Sequence, residues 1–133
     1  MLNANYMMHK LAGHYKMAYD HTCMHEFVMT LEQEKHERNV SALDIAKALL
    51  DHGIHPPTMY FPLIVHEALM IEPTETESRE TLDEAVQIFL DVLAESEAHP
   101  EKMHGYPFET PVRRLDEVGA ARKPVVRYLY NPE

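Results

Sequence analysis

Ten histidines, one cysteine and twenty-two carboxylates are the residues of this 133-residue chain with chemistry to offer. "HTCMH" sets His21, Cys23 and His25 at alternate positions, which on a strand would put three soft ligands on one face. Zinc asks for more: a fourth protein ligand in a structural site, or a paired carboxylate in a catalytic one, and no spacing here supplies either. "HEFVM" fails the H-E-x-x-H pattern because Met29 stands where the second histidine belongs. We therefore assign no metal site. Ser41, Ser78 and Ser96 stand where helix caps or solvated helix faces explain them, and no G-x-S-x-G elbow surrounds any of them. Cys23 beside histidines has the makings of a thiolate nucleophile, yet a lone cysteine is more often a small buried hydrophobe. Four glycines form neither a G-x-G-x-x-G nor a P-loop. No catalytic residue is assigned within this chain.

Two turns are more promising. In "HPPT" the prolines hold His55 and Thr58 at a strand edge. In "IEPTE" Pro73 ends a strand and presents Glu72, Thr74 and Glu75. Two rigid polar turns on adjacent strands can bring their side chains together at one place. The acidic run Glu72, Glu75, Glu77, Glu80 also suits the positive N-terminal end of the helix that follows.

The elements that must position these turns read as follows. Ala4, Met7, Met8, Leu11, Tyr15 and Ala18 recur at helical spacing, predicting an amphipathic helix over residues 2 to 18. "HEFVMTL" alternates, with His25, Phe27, Met29 and Leu31 on one face of a strand and Glu26, Val28 and Thr30 on the other. "EQEKHERN" reads as a loop. Ser41 with Asp44 predicts a capping box, Ile45, Ala46, Leu49 and Leu50 the buried stripe behind it, and Gly53 the stop. Prolines 56 and 57 exclude helix, Thr58 to Phe61 favour a strand, and Pro62 keeps it short or at an edge. Residues 68 to 72 make a third strand. Leu82, Ala85, Val86, Phe89, Leu90 and Leu93 mark a last long helix capped by Thr76 or Ser78.

The order α-β-α-β-β-α gives an α+β fold with helices over a small, three-stranded, mainly antiparallel sheet. From residue 99 the periodicity fails. We expect a small α+β domain over residues 1–98 and an extended C-terminal arm over 99–133.

Totals narrow the setting. A mass of 15.4 kDa with 45% hydrophobic residues suits one core. A formal charge of -10 repels a phosphate backbone, so nucleic acid is excluded as a partner. One cysteine leaves no internal disulfide, which fits a reducing cytoplasm. The run from Met59 to Val65 is far short of the roughly 20 residues a membrane helix needs. "MLNANYMMHK" lacks the order of a signal peptide.

The blocks "LNANYM", "MHEFV", "SALDIAKALLDHGIHPPTMYFPLIVHEALMIEPTETESRETLDEA" and "TPVRRLDEVGAARKPVVRY" resemble the C-terminal part of glycine dehydrogenase (decarboxylating) subunit 2, the P-protein of the glycine cleavage system. The resemblance runs from Leu2 to Tyr128. It implies the small C-terminal domain of a pyridoxal-phosphate enzyme of the aspartate-aminotransferase fold type (fold type I). In that family a large domain carries the cofactor on a lysine in a D-x-H-K segment. None of Lys10, Lys16, Lys35, Lys47, Lys102 or Lys123 has that setting. The resemblance thus implies a stretch of the family's chain that starts at Met1 without the large domain, binding no pyridoxal phosphate by itself and inactive alone.

The implied partners are the large pyridoxal-phosphate domain of the same subunit, P-protein subunit 1 and the lipoylated H-protein. The resemblance also implies that the turns carrying His55, Thr58, Glu72, Thr74 and Glu75 border the closed site or the lipoyl entry. Asn3, Asn5 and Tyr6 stand at the start of the joining helix. In the arm, Arg113, Arg114 and Arg122 would meet carboxylates of the large domain, and Tyr128 and Tyr130 would anchor. The rival function is a free-standing binding or regulatory module that uses the same turns to hold a small acid or amine, and a third is an interaction domain.

Overall fold

A computed structural model describes residues 1–128 and Tyr130. In chain order the elements are α1 (Leu2–Leu11), β1 (Lys16–Met17), β2 (Phe27–Thr30), α2 (Glu32–Arg38), α3 (Ala42–Asp51), β3 (Thr58–Met59), β4 (Ala68–Ile71), α4 (Arg79–Ala98), α5 (Pro100–Met103) and α6 (Glu117–Arg122). The strands form one antiparallel sheet in the order β1-β2-β4-β3. The fold is α+β as expected, with four strands where three were predicted. The addition is two-residue β1, too short to leave a pattern in sequence.

Register explains which face is buried. Phe27 pairs with Ile71 and Met29 with Leu69, and opposed residues of an antiparallel pair share a face. All four belong to the core, with Met17 and Met59 partly buried against it. The predicted core face of β2 therefore holds at Phe27 and Met29, but Val28 and Thr30 on the other face are buried as well, and the strand starts at Phe27 and leaves His25 exposed. At the sheet's edge β3 has only two residues, as Pro62 dictated.

The predicted helix over 2 to 18 ends at Leu11. Gly13 adopts φ 91, a conformation that costs glycine little, and the chain turns back. Tyr15 then meets Phe89 edge-on at 6.1 Å and donates its hydroxyl to the Phe89 carbonyl at 2.7 Å. Burial, then the carboxylates of Glu34 and Glu97, push the Tyr15 hydroxyl well above its ordinary pKa. It remains a protonated donor that fastens the turn to α4.

The predicted loop at "EQEKHERN" is α2. It has no apolar stripe and buries only Glu34, which is why periodicity missed it. Good helix formers supply the propensity. Thr30 Oγ1 accepts from the Glu32 N–H at 3.2 Å, and Asn39 closes the far end in the left-handed region at φ 59.

α3 begins with the predicted capping box. Asp44 N–H donates to Ser41 Oγ at 3.2 Å and Ser41 N–H to Asp44 Oδ2 at 2.9 Å. Ser78 caps α4 by accepting from Thr81 N–H at 3.2 Å, while Thr76 pairs with the Thr74 hydroxyl instead.

The packed body runs beyond the division expected at His99. Met103, Tyr106 and Pro107 are buried, and Tyr106 donates to Glu95 Oε2 at 2.5 Å. Arg114 donates to Asp44 Oδ1 at 2.8 Å and to the Met103 carbonyl at 3.0 Å, and Arg113 to the Pro107 carbonyl at 3.0 Å. These two arginines, expected to reach a large domain, are engaged within this chain. Beyond them α6 buries no residue. Leu129 and residues 131–133 of the expected arm lie outside the described residues.

Candidate functional site

The two polar turns do meet. After α3, Gly53 adopts φ 75 and Ile54 N–H returns to the Leu49 carbonyl at 3.1 Å, so the chain leaves the helix sharply. Pro56 and Pro57 then extend it into β3. On the neighbouring strand Pro73 follows β4, and Glu77 N–H closes the turn on the Thr74 carbonyl at 3.3 Å. Between the turns and α4 lies a groove of about 480 Å³.

Met7, Ile71, Leu82, Ala85 and Phe89 give the groove an apolar floor, and His55, Thr58, Glu72, Glu77 and Thr81 a polar rim. His55, Thr58, Glu72, Glu77 and Thr81 are all exposed, so the rim is open to solvent. Two carboxylates, an imidazole and two hydroxyls form a lining that accepts hydrogen bonds from an amine, with apolar surface beneath for a hydrocarbon stem. No lysine or arginine is among the lining residues.

Of the predicted site residues, the fold brings His55, Thr58 and Glu72 to this groove. Thr74 and Glu75 are outside its lining. Thr74 acts through its main chain: Asn3 Nδ2 donates to the Thr74 carbonyl at 2.8 Å and the Glu77 carbonyl at 3.3 Å. Asn3 thus fixes the turn that carries the rim. Asn5 does something else, donating to the Cys23 carbonyl at 2.8 Å and accepting from the Cys23 N–H at 3.0 Å. Tyr6 hydrogen-bonds Asp83, with Arg79 and Lys10 against its ring.

Glu77 and Thr81 were missed as rim residues. Their positions in the acidic run and on the first turn of α4 had a sufficient explanation in helix capping, and only the closeness of Ser78 to the turn hinted otherwise.

The other sequence candidates do not assemble. His21, Cys23 and His25 precede β2 in irregular chain rather than sharing a strand face. Among the described residues no group of three or more His, Cys, Asp or Glu side chains is placed to hold a metal ion. A hollow of about 540 Å³ between the end of α1 and β1, lined by His9, His14, Lys16 and Asp20, holds none of the predicted residues.

The family described as "Glycine dehydrogenase, C-terminal domain" matches residues 1–106. A Treponema denticola protein named "Probable glycine dehydrogenase (decarboxylating) subunit 2" is 61% identical over 128 residues, covering 96% of this chain and 27% of the relative. Proteins of the same name from Desulforamulus reducens and Thermosipho melanesiensis are 58% identical over 129 residues and 56% over 133, covering 97% and 100% of this chain and 27% and 28% of those relatives. The chain spans about a quarter of the length of the curated relatives it matches.

Proposed function

This chain belongs to the glycine dehydrogenase C-terminal domain family, and we propose that it forms the closing part of a glycine decarboxylase of the glycine cleavage system. That enzyme would pass the aminomethyl group of glycine to the lipoyl arm of H-protein and release carbon dioxide. Pyridoxal phosphate supplies the electron sink for such a decarboxylation. The residues of this chain do not suit the cofactor. Lys10, Lys16, Lys35, Lys102 and Lys123 are exposed and Lys47 is half-buried on α3, and none of them lines the groove. We therefore give the cofactor to the large domain and route no step through it here.

The role we assign to this chain is a wall of the channel. The observation that carries it is the groove's lining, two carboxylates over an apolar floor without a cation. A lipoyl arm is a hydrocarbon stem, and once loaded it ends in an aminomethyl amine. Met7, Leu82, Ala85 and Phe89 would exclude water from the stem. Glu72, Glu77 and the hydroxyls of Thr58 and Thr81 would accept from the amine, with His55 at the mouth. Asn3 is the positioning residue behind them. The partners implied are the large domain, the other P-protein subunit and lipoylated H-protein, in the cytoplasm. No helix among the described residues is long and apolar enough to cross a membrane.

The test is a chimaera in which this chain replaces the matching last quarter of the Treponema denticola relative. It is expected to release carbon dioxide from glycine with H-protein present. Ala85→Phe, which fills the groove, is expected to raise KM for lipoylated H-protein by roughly tenfold, the scale of about 1.4 kcal/mol of lost binding. KM for glycine should be unchanged. Equal KM values for H-protein in both forms would overturn the channel role.

A further inference from the structure

We infer that the Tyr60–Glu67 loop, with Met24 beside it, is the surface by which this domain docks on the large domain that precedes it in the longer relatives. The loop exposes a continuous apolar tip, Phe61 at 52%, Leu63 at 85% and Ile64 at 82%, and Met24 next to it is 70% exposed. Phe61 and Pro62 join Cys23, Met24 and Phe27 in lining one groove of about 400 Å³. An apolar patch of this kind on a water-facing surface marks an interaction site.

The tip is also held in place from several directions. Tyr60 N–H donates to the Ala68 carbonyl at 2.8 Å, Val65 N–H to the Pro62 carbonyl at 2.9 Å and Leu31 N–H to the Glu67 carbonyl at 2.9 Å. Thr30 Oγ1 donates to the His66 carbonyl at 2.7 Å, and Ala42 N–H to Glu67 Oε2 at 2.7 Å. At either end stands a non-glycine residue in the left-handed region, Tyr60 at φ 57 and Glu67 at φ 47. Bulky residues occupy that region against steric cost, and such strain persists where the surroundings over-determine it and tends to gather at functional sites. A loop so constrained presents Phe61, Leu63 and Ile64 as a preformed knob.

The occupant follows from where the relatives' additional length lies. The matched family is a C-terminal domain and the relatives are roughly four times longer, so their additional chain joins ahead of α1. Asn5, on the first turn of α1, grips the Cys23 main chain through both of its amide atoms. That bond sets the start of α1 beside the Cys23–Met24 segment. Asn3, two residues nearer the start, is bonded to the Thr74–Glu77 turn, so the preceding chain enters between that turn and the Cys23–Met24 segment, next to the face where Met24 is exposed. A second copy is disfavoured, because two chains of net charge -10 repel each other.

This inference rests on the proposed membership in a longer enzyme, and its test separates the two. With Cys23→Ser as background, Ile64→Cys is made in the isolated chain and in the chimaera, and maleimide labelling is followed by mass spectrometry. The thiol at position 64 is expected to label at the rate of an unstructured peptide in the isolated chain. In the chimaera it should label about a hundredfold more slowly, since access then requires opening of the interface. Leu63→Asp is expected to lower the Tm of the chimaera and leave that of the isolated chain unchanged.

Equal labelling in both forms overturns the docking. So does protection in the isolated chain accompanied by a doubled mass, or protection that appears only when the other subunit is added. A chimaera that releases carbon dioxide while labelling freely refutes the docking alone, and a protected, inactive one refutes the proposed function alone.

Discussion

Two stretches of this protein expose large apolar side chains, and they are held in opposite ways. The Tyr60–Glu67 loop is bonded to β2, to β4 and to the start of α3. The stretch after Phe108 exposes Val112, Leu115, Val118, Val125, Val126 and Tyr128 and, among the described residues, is fastened to the body at its root. There Asp51 accepts from the Phe108 and Glu109 N–H groups, and Arg113 and Arg114 reach back to the body. Both look alike in sequence, apolar and broken by proline. The difference is where their backbone hydrogen bonds go, so exposure by itself does not separate a surface tied to the body on several sides from a segment held at its root.

Both stretches depend on the core, and the largest expected effect removes that dependence. Phe89 is buried at the centre of α4, meets Tyr15 edge-on and accepts its hydroxyl at the main chain. Phe89→Ala is expected to cost about 3–5 kcal/mol in urea denaturation, the range for deleting a buried ring. Loop and tail should then lose protection together. A change within about 0.5 kcal/mol, the range of surface substitutions, would place Phe89 outside the core.

Much of this core was legible in sequence, because burial leaves a period. The stripe of α4, the core face of β2 at Phe27 and Met29 and the Ser41–Asp44 box follow from the spacing of residues. The helix α2 was not legible, since a polar helix has no period to detect. The end of α1 was hidden too, because Tyr15 continues the helical spacing while Gly13 breaks the backbone. Of the candidate site, His55, Thr58 and Glu72 were legible because prolines fix their turns. Glu77 and Thr81 were not, because each already had a role at the helix start. The long reach of Arg114 to Asp44 joins residues seventy positions apart, which no local pattern records.

The next effect divides the two stretches. Burial alone would raise the Asp44 carboxyl, but hydrogen bonds from Ser41 and from Arg114 favour the anion and hold its pKa below the ordinary 3.8. Arg114→Ala is expected to cost about 1.5–3 kcal/mol, the range for hydrogen bonds to charged groups. Hydrogen exchange should speed up near residues 103–114 and stay unchanged at Tyr60 and Leu31. Equal acceleration at both places would mean that loop and tail are one cooperative unit. The pH dependence has a definite sign, because the folded state holds the Asp44 proton less tightly than the unfolded state. The stabilisation is complete above the ordinary aspartate range and is lost as pH falls through the lower folded value. Asp44→Asn should therefore flatten the loss of stability below about pH 5, and an unchanged slope would remove Asp44 from the acid response.

The smallest effect sharpens the claim that the loop is constrained. Glu67 adopts φ 47 while its carboxylate accepts from the Ala42 N–H, so a substitution there changes two things at once. Glu67→Ala loses the hydrogen bond and keeps a Cβ in the left-handed region. Glu67→Gly loses the same bond and removes the Cβ. The difference between the two variants isolates the backbone term, and glycine should be the more stable by about 1 kcal/mol, the lower end of the cost of left-handed φ for an L-residue. This is the reverse of the order in a helix, where alanine is favoured over glycine by about 1 kcal/mol. Paired thermal melts of the two variants measure it directly. If alanine proves as stable as glycine, the loop relaxes to a negative φ at no cost. Residues 60–67 would then be no more preformed than the tail, and the contrast between the two stretches would fail at its root.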